Sequence, residues 1–144
     1  MKDSAYININ GYLKIIDFDT KEVLVDKHNA IHLENMAIAL AQCLTNKQEG
    51  YINEMVFGNG GTTVDPTGVI TFLTPNTSGT SASLYNETYN KIVDPGSMSN
   101  LDPITNYVEV RHVSGANYTD IFVQCLLDYG EPDGQNAFDS NPYV

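Results

Sequence analysis

The segment from Tyr51 to Ile92 constrains the fold of this chain most strongly. Its short apolar runs are separated by long polar stretches rich in Gly, Asn, Thr, Ser and Pro, and it contains nearly no basic residues. This composition is typical of β-strands joined by exposed loops of defined shape. The segment lacks an evident set of catalytic groups, so it indicates a protein that works by contacting other proteins.

The length and composition predict a single folded domain spanning residues 1–144. A chain of 144 residues buries roughly two-thirds of the surface that its unfolded form exposes, so it needs no disulfide or metal to fold. Hydrophobic residues make up 42% of the chain and charged residues 17%. Disordered chains are poorer in apolar residues and richer in charge.

The charge of the chain argues against nucleic acid as a direct partner. The net charge is −11, from 18 acidic and 7 basic residues, and phosphate groups repel such a surface. No apolar run approaches the length of about 18 residues that a membrane span requires, and the first residues lack the apolar core of a signal peptide. We therefore expect synthesis in the cytoplasm and no membrane partner.

The first third of the chain predicts three elements. Residues 6–10 alternate apolar and polar side chains with the two-residue period of a half-buried strand. Residues 12–26 predict a β-hairpin that turns at residues 19–22. Apolar residues recur at helical spacing in residues 30–46, so we expect an amphipathic helix there, capped by Asn29 and packed on a sheet.

The rest of the chain predicts further strands and an irregular tail over residues 130–144. Residues 121–127 are apolar at nearly every position, which is typical of a central strand covered on both faces. Residues 84–93 fit either a strand or a helical face, and we favour a strand with an irregular start. The predicted strands of this part are 52–57, 69–73, 84–93, 106–113 and 119–129.

Together these patterns predict an α+β fold. We expect one β-rich domain of about seven mainly antiparallel strands, arranged as a sandwich or barrel, with one amphipathic helix packed on the sheet. Long loops in compact domains are usually contact loops or mobile segments. The segments expected to contact other proteins are 58–68, 74–83, 94–104 and 130–144.

A glycine-rich cluster begins at Gly58 and continues through Asn59, Gly60 and Gly61. Its spacing matches no nucleotide-binding motif, and Pro66 disfavours the helix that would have to follow. A tight turn in which the glycines adopt positive φ angles is the simpler interpretation, and nucleotide binding is the alternative.

Two pairs of residues have metal binding as an alternative interpretation. His28 and His32 would share one face of a helix that began before His28, but a cap at Asn29 places His28 outside the helix. Asp17 and Asp19 lie on one face of a strand end but lack the further ligands of a calcium loop. We therefore expect no metal and no other cofactor.

The nucleophilic side chains do not form a catalytic pattern. Cys43 and Cys125 lie among apolar residues and are predicted to be buried thiols, with a disulfide or a metal pair as the alternative. His112 is expected to be half-exposed on a strand, and Ser114 lies too close to it in sequence to form a nucleophile and base pair. The sequence thus predicts a protein that is not an enzyme.

Aromatic and turn-forming residues supply the candidate contacts. The chain has 9 Tyr and no Trp, and Tyr is common both at protein interfaces and in ordinary strands. Asp-Pro pairs at Asp65, Asp94 and Asp102 are expected to start turns. The residues predicted to contact other proteins are Gly58, Asn59, Gly60, Gly61, Asp65, Pro75, Asn76, Tyr85, Tyr89 and Tyr118.

Three segments carry a resemblance to a known class of protein. They read HNAIHLENMAIALAQCL, EMVFGNGGTTVDPTGVITFLTPNTSG and EVRHVSGANYTDIFVQCLLDYGEP. In these segments the chain resembles small virion structural proteins of tailed bacteriophages, and the resemblance covers most of residues 12–133. It includes no catalytic or binding motif, so it implies no functional residue.

The resemblance implies a location in the virion. A multi-copy component of the tail, neck or baseplate would have copies of itself and other virion proteins as partners. A capsid decoration or cement protein is one alternative. A carbohydrate-binding module for host adsorption is another, with glycan as its ligand.

Overall fold

The computed structural model describes residues 3–77 and 82–131. Within them the chain forms eight strands and one helix. In chain order these elements are β1 (Gly11–Ile16), β2 (Val23–Asn29), α1 (Leu33–Leu44), β3 (Glu54–Gly58), β4 (Thr62–Val64), β5 (Ile70–Phe72), β6 (Glu87–Ile92), β7 (Tyr107–Arg111) and β8 (Asp120–Gln124).

The strands form four two-stranded antiparallel sheets, which are β1–β2, β3–β6, β4–β5 and β7–β8. The predicted β-rich chain with one helix is confirmed. The residues that the structure describes form no closed barrel, because each strand there has a single hydrogen-bonded neighbour. The predicted arrangement as a sandwich or barrel is therefore not confirmed.

The predicted hairpin near the start of the chain is confirmed as β1–β2. Asp17 begins its turn, because the Asp17 carboxylate accepts hydrogen bonds from the backbone N–H groups of Asp19 (3.0 Å) and Thr20 (2.8 Å). Lys21 adopts a positive φ of 62° in the same turn. The predicted strand at residues 6–10 is wrong, since this segment has no strand assignment.

Helix α1 is shorter than predicted and has a different cap. It begins at Leu33, and the Nδ1 atom of His32 accepts a hydrogen bond from the backbone N–H of Asn35 at 3.2 Å. Asn29 is not the cap, because it is the last residue of β2, where it pairs with Gly11. The sheet pairing of Asn29 therefore prevails over its local preference for a helix start.

The apolar stripe of α1 does not pack on a sheet as predicted. Leu33, Met36 and Leu40 instead line a shallow groove of about 220 Å³ together with Ile7 and Ile9. None of the helix residues is buried. The helix therefore rests against the extended N-terminal segment and leaves much of its apolar surface exposed.

Strand β3 does not pair with either of the two strands that follow it most closely in the chain. β3 pairs with β6, which lies about thirty residues further along, and not with β5. The predicted eleven-residue loop 58–68 contains β4, which pairs with β5 to form a short hairpin. The favoured strand within residues 84–93 is confirmed as β6.

The best-buried part of the chain lies between β6 and β7. Val93 is 0% exposed, and its N–H donates to the Asn53 carbonyl at 2.9 Å. Asn100 donates from Nδ2 to the carbonyl of Asn106 at 2.8 Å, and the Oδ1 atom of Asn106 accepts from the N–H of Leu126 at 2.9 Å. These hydrogen bonds connect the residue before β3, the loop between β6 and β7 and the segment after β8.

The apolar core is very small. Val93 is the one buried hydrophobic residue in the described part of the chain. Large apolar side chains are exposed on β1, β2, α1, β4, β5, β7 and β8. The central strand predicted at residues 121–127 is wrong for the same reason, because β8 has one neighbour and Ile121 is 63% exposed.

Candidate protein-contact surfaces

The β4–β5 hairpin, here called the arm, spans residues 61–73. Its register pairs Thr62 with Phe72 and Val64 with Ile70, and the N–H of Leu73 donates to the Gly61 carbonyl at 2.9 Å. The arm makes few contacts with the other helices and strands. It is therefore a short hairpin with which no other strand of the described residues pairs.

The strands of the arm concentrate their apolar side chains on one face. Side chains alternate between the faces of a strand, so Val64, Ile70 and Phe72 share one face, and Thr63 and Thr71 share the other with Val69 and Leu73, which flank β5. Val64, Ile70 and Phe72 are 63%, 57% and 75% exposed, respectively. The arm thus presents an uncovered apolar face, here called the arm face.

Asp65 organises the turn of the arm. Its Oδ1 atom accepts hydrogen bonds from the Thr67 hydroxyl (2.6 Å), the Thr67 N–H (2.8 Å) and the Val69 N–H (3.0 Å). The hydrogen bond from the Thr67 hydroxyl and that from the Val69 N–H lower the pKa of this carboxyl below its ordinary value. Asp65 is thus a turn-forming residue, as the Asp-Pro pattern predicts, and Gly68 completes the turn with a φ of +87°.

The glycine cluster before the arm allows close backbone approach. A Cβ atom at Gly58 would lie 2.2 Å from the Asn86 carbonyl oxygen, and one at Gly60 would lie 2.7 Å from the Asn86 Cβ. The positive φ angles predicted for this cluster are wrong, because Gly58, Gly60 and Gly61 are absent from the positive-φ residues. Asn59 hydrogen-bonds to Asn86 through both backbone and side chain. The cluster therefore holds the base of the arm against the start of β6.

Pro75, Asn76 and Tyr85 lie beside the base of the arm. All three are exposed, and the Asn76 side chain donates to the Ser83 carbonyl at 2.9 Å. The Tyr85 hydroxyl donates to the Thr74 carbonyl. These bonds join the two ends of the predicted contact segment 74–83, whose residues 78–81 lie outside the described part of the chain.

Tyr89 lies in a more buried environment than the other candidate tyrosines. Burial and the nearby charge of Glu131 raise the pKa of Tyr89. Glu131 forms an ion pair with Lys91, which lowers the pKa of the Glu131 carboxyl. This pair fixes the segment after β8 to β6, so Tyr89 is part of the framework more than of an exposed contact surface.

Tyr118 lies in the loop between β7 and β8 and is 67% exposed. Its backbone carbonyl lies 3.0 Å from the Nδ1 atom of His112. Val110 and Ile121 pair across the same end of the hairpin, and their side chains are 71% and 63% exposed. This end of β7–β8 is thus a second uncovered apolar surface.

The predicted contact loop 94–104 has strongly exposed apolar side chains. Met98, Leu101 and Ile104 are 99%, 94% and 87% exposed. The predicted turns hold the loop, because the Asp94 carboxylate accepts from the Gly96 N–H at 2.9 Å and the Asp102 carboxylate accepts from the Thr105 N–H at 3.2 Å. Of the fourth predicted contact segment, 130–144, residues 132–144 lie outside the described residues.

The candidate metal and thiol residues do not converge. His28 lies in β2, where its ring packs at a tilt against Tyr12 with ring centroids 4.5 Å apart, so it does not share a helical face with His32. Among the described residues no three His, Cys, Asp or Glu side chains are grouped so that they could hold a metal ion.

The two cysteines are both free. Cys43 is exposed, so its predicted burial is wrong, and its thiol lies 3.2 Å from the Gly50 carbonyl. Cys125 is partly buried, and burial raises its thiol pKa. Neither cysteine lies in the segments that form the arm.

Three features of these surfaces were not predicted from the sequence: the arm face, the exposed apolar side chains of loop 94–104 and the Lys91–Glu131 pair. The arm face has a local sequence signal for a hairpin, since two short runs with apolar residues flank an Asp-Pro-Thr-Gly turn. The exposed apolar residues of loop 94–104 have a weaker signal, because exposure depends on what surrounds them. The Lys91–Glu131 pair has no local signal, since its members are 40 positions apart.

No helix in the described ranges is long and apolar enough to cross a membrane. Comparison of the chain with known protein families, curated proteins and solved structures finds no match.

Proposed function

We propose that this chain is a non-enzymatic structural subunit that works as a multi-copy component through protein–protein contacts. In line with the resemblance of its sequence, we place it in the virion of a tailed bacteriophage, as a component of the tail, neck or baseplate. The observation that supports the proposal most strongly is the uncovered apolar surface: Val93 is the one buried apolar residue among those described.

The energetics of the four sheets support an assembly. An isolated two-stranded sheet is marginally stable in water at best, and burying one large apolar side chain contributes about 1.5–3 kcal/mol. In the single chain, Phe72 and Leu44 are 75% and 79% exposed. Most of this stabilisation is therefore missing in the single chain. Contacts with neighbouring subunits would supply it.

The distribution of these side chains also supports a structural role. Exposed apolar residues occur in the arm, at the end of β7–β8 and in loop 94–104. Contiguous exposed apolar surface is typical of interaction sites. Several separate patches on a single chain suit a subunit that contacts more than one neighbour.

The test of this proposal is the mass of the purified chain in solution. We expect native mass spectrometry and sedimentation to find a defined multimer that loses ordered structure when it dissociates on dilution. A well-folded monomer at every concentration would refute the structural-subunit proposal.

Electron microscopy of intact particles tests the virion location. A tail, neck or baseplate component would be present as a ring of a few copies, whereas a decoration protein would be present in hundreds of copies on the shell. Glycan binding by the isolated chain that is lost in Tyr85→Ala would support the adsorption module instead.

A further inference from the structure

We propose that copies of this chain bind one another through the arm, with the arm face of one copy packed on the arm face of a second copy. This inference rests on the proposed function and adds to it the surface and the partner. The arm face consists of Val64, Ile70 and Phe72, with Thr62 opposite Phe72 in the hairpin register.

Charge favours this surface for a contact between identical chains. Each copy carries a net charge of −11, so two copies repel one another through most of their surfaces. Between residues 58 and 77 the single charged residue is Asp65, and its carboxylate is engaged by Thr67 and Val69 within the turn. Because side chains alternate between the faces of a strand, Asp65 lies on the side opposite the arm face, so like charges oppose self-association less there than on the rest of the surface.

The β1–β2 hairpin offers less suitable surfaces for packing on itself. Lys14 and Asp26 lie opposite each other on one of its faces, and Lys27 lies on the other. When a surface packs on its own copy around a two-fold axis, charges near the axis meet charges of the same sign. The arm face avoids this cost.

The geometry of the arm suits face-to-face packing. Two hairpins packed face to face form a four-stranded sandwich about 10 Å thick, with apolar side chains inside and polar ones outside. Thr63 and Thr71 would then remain in water, and Val64, Ile70 and Phe72 would be covered. This arrangement also removes the instability of an isolated two-stranded hairpin.

A pair of neighbouring substitutions tests the arm face. Phe72→Asp and Thr71→Asp add the same charge to β5 at adjacent positions on opposite faces. We expect Phe72→Asp to weaken self-association at least about tenfold, the factor that corresponds to losing roughly 1.4 kcal/mol, and Thr71→Asp to leave it within about twofold. Equal effects of the two variants, or no effect of either, would overturn the inference.

Cross-linking then tests whether arm meets arm. Val64→Cys and Thr63→Cys each add one thiol to the same strand, and the native Cys43 and Cys125 are common to both variants. With oxidised glutathione as the oxidant, we expect a covalent dimer from Val64→Cys in excess of that from Thr63→Cys and from the native chain. Weakened association in Phe72→Asp without a Val64→Cys dimer would overturn the contact between arms.

The outcome for the native chain separates the two proposals. A native multimer whose mass is unaffected by Phe72→Asp contradicts the arm contact and leaves the structural-subunit function standing. A native monomer contradicts both.

Discussion

Gly50 passes so close to α1 that a Cβ atom on it would lie 2.3 Å from the carbonyl oxygen of Ala39. The same glycine has a φ of +77°, in the region that other residues rarely adopt. The Cys43 thiol lies 3.2 Å from the Gly50 carbonyl oxygen. The segment after the helix can therefore return along α1 only because Gly50 lacks a side chain.

Replacing Gly50 should destabilise the chain by two separate effects. In Gly50→Ala the backbone strain and the clash with Ala39 act together, and we expect a loss of about 3 kcal/mol in the free energy of unfolding. Urea titration at a fixed protein concentration measures this loss.

Two further glycines provide the controls for Gly50→Ala. Gly68 also has a positive φ of 87°, but a Cβ atom there meets nothing within 4 Å, so Gly68→Ala should cost about 1 kcal/mol. Gly61 also has open space and is not among the positive-φ glycines, so Gly61→Ala should change stability by less than about 0.5 kcal/mol. A similar loss in all three variants would show that the contact with Ala39 is unimportant.

Asn106 should be essential for the buried centre of the chain. It is 5% exposed, and its side chain accepts a hydrogen bond from the Leu126 N–H. Asn106→Ala leaves this N–H without its partner, so we expect a loss of about 2 kcal/mol in the free energy of unfolding. Asn76→Ala, which removes an exposed side-chain hydrogen bond, should cost less than about 0.5 kcal/mol and serves as the control.

Asp65 should keep the arm ordered whether or not the arm contacts another copy of the chain. In Asp65→Ala the backbone N–H groups of Thr67 and Val69 lose the carboxylate that accepts their hydrogen bonds. We expect faster amide hydrogen exchange in residues 65–72 and unchanged exchange in β7 and β8. Equal acceleration in both regions would indicate global destabilisation instead.

The Lys91–Glu131 pair should make stability depend on pH. The hydrogen bond from Lys91 lowers the pKa of Glu131 below its ordinary value of 4.5. A carboxyl group with a lowered folded-state pKa contributes stability above its unfolded pKa and loses it as the pH falls through the folded value. Glu131→Gln should therefore weaken the fall in urea midpoint below about pH 4.5.

A partner variant checks the cause of this pH dependence. In Lys91→Met the Glu131 carboxyl keeps its proton-binding site but loses the group that lowers its pKa. We expect the acid dependence to be weakened to a similar extent as in Glu131→Gln. A native profile in Lys91→Met would show that the ion pair is not the cause.

The elements that sequence patterns predicted well are those built from neighbouring residues. The β1–β2 hairpin, strands β7 and β8 and helix α1 were all predicted, because turn signals and side-chain periodicity are local. The cap of α1 was not, since the pairing of Asn29 with Gly11 in β1–β2 depends on a strand eighteen positions away.

The arrangement of strands and the burial of residues were harder to predict. β3 pairs with β6 across the whole arm, and the sequence between them gives no indication of that pairing. Cys43 and residues 121–127 were expected to be buried because they lie among apolar residues. They remain exposed or half-exposed, because an apolar pattern identifies surface that needs cover but does not indicate which chain supplies it.

Every described strand has one hydrogen-bonded neighbour, so each of the eight retains an open edge. Open edges are templates for pairing with any extended chain, including the wrong one. A free copy of this chain therefore remains prone to aggregate until another chain covers these edges. Overproduction of the chain should accordingly deposit part of it in inclusion bodies.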